Sequence, residues 1–198
     1  SDEIMEDIED PTVPNRPFDR RGLVVGYVQS GKTANFMGII NKGIDSGYRI
    51  IIVLAGMHEN LRQQTQERID EEVLGIDTNP EEKQKRVGVS TLPGEVYIPM
   101  DYFTESNLNP RKNGDFNKRK RWGTPPSLDR PMIFVVKKNK SVLSNLKDYF
   151  QHWINIFDED FTFKKDGVNQ FNNLPLLVID DEADQASVNT KPTHDKEG

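Results

Sequence analysis

The sequence predicts an α/β fold: a parallel sheet with helices on both faces and polar insertions between its units. Three observations carry that reading. Short apolar runs recur at 23–25, 49–55, 132–136 and 174–179, each of strand rather than helix length. Between them lie segments with helical spacing of apolar residues or helix-favouring composition, at 32–46, 59–74 and 141–153. The run 49–55 is β-branched without polar alternation, as expected of a parallel strand covered on both faces. Strands that alternate with helices form parallel sheets whose ligands bind beyond the carboxyl ends of the strands.

Residues 1–18 carry repeated acids and Pro11, Pro14 and Pro17, which helix interiors and central strands exclude, so they read as an extended acidic arm. One lobe then occupies 19–198. Leu23-Val24-Val25 is its first short buried strand, followed by a glycine-bounded loop. A helix over 32–46 spaces Phe36, Met37, Ile40 and Ile44 at helical intervals and stops at Gly47. The strand at 49–55 and the charged, Gln- and Glu-rich helix at 59–74 form a second strand–helix unit. From 75 to 131 the pattern dissolves into Asn, Pro, Gly, Lys and Arg, an insertion with one short strand at 87–90. Met132-Ile133-Phe134-Val135-Val136 restores a buried strand, and the helix at 141–153 aligns Val142, Leu143, Leu146, Phe150 and Trp153. A second, loop-like insertion spans 156–173. Leu174-Pro175-Leu176-Leu177-Val178-Ile179 is the last strand and runs into Asp180-Asp181-Glu182-Ala183-Asp184. With Ser at position 1 and a polar tail ending at Gly198, the chain reads as a piece of a longer protein, truncated at its C-terminus.

The 198 residues hold 26 Lys+Arg against 32 Asp+Glu, a net charge of −6, with 34% apolar residues. That balance supports one core with much loop around it. Without cysteine there is neither a disulfide framework nor a cysteine-ligated metal centre, and His58, His152 and His194 are too scattered for a metal cluster. The longest apolar stretch, 50–55, falls far short of the ~18 residues of a membrane span, and the start Ser1-Asp2-Glu3-Ile4 is acidic where a signal peptide is basic. A cytoplasmic location with no membrane partner is expected.

Gly26-Tyr27-Val28-Gln29-Ser30-Gly31-Lys32-Thr33 fits the pattern G-x-x-x-x-G-K-[ST] without a mismatch, between an expected strand and an expected helix. The glycines let the backbone turn tightly enough for its N–H groups to face a phosphate, and the helix N-terminus adds partial positive charge. Lys32 would bridge the β- and γ-phosphates of ATP, and Thr33 would offer its hydroxyl to Mg2+. Gly26, Gln29, Ser30, Gly31 and Ala34 complete the expected nucleotide-binding set. Such a site also needs a carboxylate on a neighbouring strand for the metal and an acid beside it for water. Asp181 would hold Mg2+ and Glu182 would act as general base, with Asp180 an alternative metal partner.

The phosphate loop, the block Asp181-Glu182-Ala183-Asp184, and Ile50-Ile51-Ile52-Val53-Leu54-Ala55-Gly56 followed by Asn60-Leu61-Arg62-Gln63-Gln64 resemble the first motor lobe of superfamily 2 helicases. Taken with Val135-Val136-Lys137-Lys138-Asn139-Lys140 and Val142-Leu143, they resemble more narrowly the Z1 domain, a helicase-like module of bacterial endonucleases associated with restriction-modification and defence. The likeness spans roughly residues 20–188. It implies a RecA-like P-loop NTPase that hydrolyses ATP with Mg2+, acts on DNA and works against a second motor lobe. It also implies that Asp184 links nucleotide state to the rest of the motor. The turn 56–61 occupies the place of a nucleic-acid backbone contact, with Ala55-Gly56 standing where the family has Pro-Thr. Lys137, Lys138 and Lys140 occupy the place of a later strand-end contact with phosphates.

Nuclease chemistry calls for several carboxylates and a lysine at one sheet edge, whereas Glu95, Asp101, Asp158, Glu159, Asp160 and Lys164 share only their charge. Arg111-Lys112 and Lys118-Arg119-Lys120-Arg121-Trp122 concentrate six basic residues, either a phosphate-binding surface or a solvated loop. The rival function class is an ATP-dependent switch or assembly module that moves no DNA. A GTPase fits less well, because Asn41-Lys42-Gly43-Ile44 lacks the final acid of the guanine-recognition element.

Overall fold

The computed structural model describes residues 2–13, 19–24, 32–81, 85–94, 98–107, 114–117, 123–157 and 162–181. Three of the apolar runs form β1 (Ile50–Ala55), β3 (Met132–Val136) and β6 (Leu176–Asp181). With the two-residue β2 (Asp101–Tyr102) they make a parallel sheet of order β2-β3-β1-β6. Ile50 lies opposite Met132 on one side and Leu176 on the other, so all three long strands start level.

Strand alternation sorts the core into two layers. Ile51, Val53, Ala55, Ile133 and Val135 face a layer built by α2 (Lys32–Asp45) and α3 (Glu59–Ile69). From α2 come Phe36, Met37, Ile40 and Ile44, while Ile69 and the π-helical turn Asp70–Leu74 add Val73 and Leu74. Leu177 and Ile179 of β6 pack against this same layer. Ile50, Ile52, Met132, Phe134 and Val136 face the other way, onto Leu146 and Tyr149 of α4 (Lys140–Ile154). Because both faces of β1 and β3 are covered, neither strand alternates apolar with polar residues. The expected helices at 32–46 and 141–153 are thus present, each burying the face its spacing predicted.

The long insertion is partly core. Phe103 stacks on Phe134 with ring centroids 4.6 Å apart, and Phe116 meets Tyr149 edge-on at 5.4 Å. These contacts finish the second layer and tie the insertion to α4.

Four local expectations differ from the structure. Within the arm expected to be extended over 1–18, Asp2–Asp7 form a short helix, α1. Its first-turn acids Asp2 and Glu3 suit a helix N-terminus, and the prolines begin only after it ends. Leu23 and Val24, expected in a buried strand, lie outside any strand and are 78% and 51% exposed. The expected strand at 87–90 is a 3-10 turn, Gly88–Thr91, entered with Gly88 at φ 47. Finally, 156–173 is not all loop. Strands β4 (Thr162–Lys165) and β5 (Val168–Phe171) pair antiparallel around Asp166 and Gly167, both with positive φ. Asp-Gly with left-handed backbone at both positions is a favoured two-residue hairpin turn.

Candidate functional site

The carboxyl edge of the sheet is where three chain segments bearing charge converge. The chain leaves α2 through Gly47 and Tyr48 and enters β1 at Ile50, beside Pro175 at the amino edge. Fourteen residues of helix cover about 21 Å and six of strand about 20 Å, so α2 runs back along the sheet and its first turn reaches the carboxyl edge. Lys32 and Thr33 are the first two residues of that helix, and Ala34 after them is exposed.

At the same edge β6 ends in two aspartates. Asp180 pairs in register with Leu54 and Asp181 with Ala55. Alternation puts Asp181, like Leu177 and Ile179, on the face that α2 covers, where it is half-buried. Asp180 turns the other way, and its Oδ2 lies 2.9 Å from Lys138 Nζ. The register therefore distinguishes two carboxylates that are equivalent in the sequence.

Beside them stands a compact ionic cluster. Arg62, fully buried on α3, donates from Nε to Glu59 Oε1 at 2.8 Å and from a terminal nitrogen to the Glu105 carbonyl at 3.0 Å. Lys137 Nζ, just past β3, lies 2.8 Å from Glu59 Oε2 and 3.7 Å from Asp115. Two cations and two carboxylates thus neutralise one another where α3, β3 and the insertion meet. Burial pushes the Asp115 carboxyl up, against the pull of the Phe116 N–H, Arg62 and Lys137. A second buried acid, Asp70, accepts from Gln66 Nε2 and from both the N–H and hydroxyl of Thr78. Burial still dominates and raises Asp70 to about 6.

Gly26, Gln29, Ser30, Gly31, Glu182, Asp184 and the basic stretches 111–112 and 118–122 lie outside the described residues. Of the strand-end lysines, Lys137 and Lys138 are engaged by the carboxylates above, while Lys140 at the start of α4 is exposed. Lys137 and Lys138 are thus both ion-paired and largely buried. His58 is exposed at the N-terminus of α3. Asp101 pairs with Arg130 at the amino edge, opposite Asp181, so it joins no carboxylate group there. Among the described residues no three His, Asp or Glu side chains gather as a metal cluster. Asp181 places one carboxylate at this edge, a hard oxygen donor of the kind Mg2+ takes beside waters and phosphate oxygens.

The ionic cluster is what sequence reading missed. Glu59 and Arg62 stand at helical i,i+3 spacing, a visible signal, but their partner Asp115 comes from an insertion whose path no periodicity reveals.

Comparison with family models, with curated proteins and with solved structures finds no match. Among the described residues no helix is long and apolar enough to cross a membrane.

Proposed function

We propose that this chain is an ATP-binding and ATP-hydrolysing lobe of a Z1-type, helicase-like motor that acts on DNA within an endonuclease. One observation supports the reading above the rest: Asp181 lies at the carboxyl edge on the face covered by α2, the helix that begins with Lys32 and Thr33. A phosphate loop and a metal carboxylate must share an edge and a face to serve one nucleotide.

In this reading the backbone N–H groups of 26–31 and the Lys32 ammonium bind the phosphates. Thr33 and Asp181 would hold Mg2+, which when bound would neutralise phosphate charge. Glu182 accepts a proton from the water that attacks the γ-phosphorus, the bond to the bridging oxygen breaks, and ADP leaves. Hydrolysis in such motors also draws on an arginine from a facing lobe, so turnover by residues 1–198 alone is slow.

The test is binding of a fluorescent ATP analogue, followed by ATP hydrolysis with and without duplex DNA. Mg2+-dependent binding that Lys32→Ala abolishes, with DNA-stimulated turnover that Glu182→Gln abolishes, supports the motor. Binding with turnover indifferent to DNA turns the reading toward a nucleotide switch, and no binding overturns both.

A further inference from the structure

We propose that Asp70, Thr78, Ser106 and Asp77 form a proton-operated latch, which holds the long insertion against α3 more tightly when Asp70 is protonated. The four side chains join three separate stretches of chain: the π-helical turn after α3, the start of the insertion and the segment after β2. Asp70, Thr78 and Ser106 are buried, and Asp77 is half-buried. Thr78 donates to Asp70 Oδ2 from its hydroxyl at 2.7 Å and from its N–H at 2.9 Å, and its hydroxyl oxygen accepts the Ser106 N–H at 2.7 Å. The Ser106 hydroxyl stands 3.4 Å from that of Thr78 and donates to Asp77 Oδ1 at 3.1 Å. Carboxyl, hydroxyl, hydroxyl and carboxyl thus follow one another in a row. Glu105, the neighbour of Ser106, accepts from Arg62 on its carbonyl at 3.0 Å and donates its N–H to the Gly114 carbonyl at 2.9 Å. The latch therefore sits one residue from the ionic cluster at the carboxyl edge.

One oxygen of Asp70 is suited to take up a proton. Oδ1 faces Gln66 Nε2 at 2.9 Å, a donor with nothing to accept. Turning that amide over would take Gln66 Oε1 from the Thr104 hydroxyl at 2.8 Å and set an NH2 group against the Arg62 guanidinium. Oδ2 faces a hydroxyl, which can donate or accept. When water supplies a proton to Oδ2, the new O–H donates to Thr78 Oγ1, the Thr78 hydroxyl turns to Ser106 Oγ, and Ser106 still donates to Asp77. Apart from that O–H no covalent bond changes, and each buried hydroxyl keeps a partner. Ionised Asp70 is instead a buried charge with no cation among its partners, and burial outweighs its hydrogen bonds. The charged groups around it stand further off. Arg62 lies beyond Gln66 and Asp77 beyond Ser106. The turn Gly88–Thr91 has no ionisable residue, and α2 reaches the π-helical turn through Asn41, which donates to the Glu72 carbonyl. On that turn itself Glu71 is exposed and Glu72 half-buried.

The amides of Thr78 and Ser106, both bonded within the latch, report its opening by hydrogen exchange in the whole chain, and the amides of β1 report unfolding of the sheet. Corrected for intrinsic exchange, opening is expected to become about fifty-fold more frequent between pH 4 and 7, because Asp70 titrates at the ordinary 3.8 when opened and at about 6 when closed. Asp70→Asn, neutral throughout, is expected to remove that dependence. By carbon NMR the Asp77 carboxyl is expected to show an inflection at the midpoint of Asp70, lost in Ser106→Ala and kept in Thr78→Ser. A change in opening of less than about five-fold overturns the latch. Exchange at the two amides no faster than in β1 also overturns it, because the segment then opens only with the whole fold. An Asp77 inflection that is missing in the wild type, or that persists in Ser106→Ala as a through-space effect, overturns the hydroxyl row.

Discussion

Replacing Arg62 by Met removes a fully buried guanidinium while keeping most of its apolar stem. The Glu105 carbonyl then loses its 3.0 Å donor, and the Gln66 amide oxygen loses the Arg62 nitrogen 3.4 Å away. Glu59 loses its 2.8 Å partner too, but its side chain is a third exposed, so water replaces part of that bond. Lys137 is left alone between Glu59 and Asp115. The lost bonds to the half-buried Glu105 carbonyl and to Gln66, whose amide oxygen keeps the Thr104 hydroxyl at 2.8 Å, together cost about 1 kcal/mol, and a comparable term for the unbalanced charge brings the total to about 2 kcal/mol after discounting the exposed pair. For a chain of 198 residues that corresponds to a fall of roughly 6 °C in melting temperature. Urea unfolding followed by Trp fluorescence measures it, since Trp153 sits half-buried on α4. A loss below about 1 kcal/mol at an unchanged denaturant slope would show that the cluster is not a structural joint.

Asp70 makes a pH prediction. Its folded pKa of about 6 lies above the ordinary 3.8, so the fold prefers its protonated form; this contribution is full below pH 4 and is lost as pH rises through 6. It amounts to on the order of 3 kcal/mol, and burial pushes Asp115 the same way. Asp70→Asn should flatten the fall in urea midpoint between pH 4 and 6.5, and equal slopes in the two proteins would refute the assignment. Gly88→Ala should destabilise by roughly 3 kcal/mol, because φ is 47 and the added Cβ would stand 1.9 Å from the Glu71 carbonyl oxygen. A melting temperature within 2 °C of wild type, about half a kcal/mol here, would show that this turn moves freely.

What the sequence made legible was what periodicity encodes. The apolar runs at 50–55 and 132–136 became the central strands because an uninterrupted apolar run of strand length suits a strand covered on both faces. α4 was legible because its five apolar residues share one stripe. α3 was harder, since its buried face carries Arg62, Thr65 and Gln66, polar groups whose burial depends on partners far along the chain. The hairpin at 162–171 was overlooked although Asp166-Gly167 announces it, because short polar strands carry little hydrophobic alternation. At the candidate site, Asp180 and Asp181 could not be ranked from sequence. The register with Leu54 and Ala55 separates them, and register is set by pairing between distant segments.

The faces occupied by the helices also fix on which side of this sheet a strand feeding α2 would stand. From β1 the chain crosses α3 on one face to reach β3, and from β3 it crosses α4 on the opposite face to reach β6, travelling the other way. Opposite directions on opposite faces are what right-handed crossovers require. α2 lies on the same face as α3 and delivers the chain to β1. A strand of this sheet feeding α2 must therefore stand on the β6 side, never beside β2. That is the side where Leu176 and Val178 of β6 are 45% and 50% exposed, while Leu23 and Val24 are exposed before α2. The chain has no cysteine, so paired spin labels can be placed cleanly at Val24 with Val178, and at Val24 with Asp101. Three strand spacings separate β6 from β2, so the first distance should be shorter by about 14 Å. The reverse order would mean that the segment before α2 does not continue this sheet, and would remove the structural basis for placing a phosphate loop at its carboxyl edge.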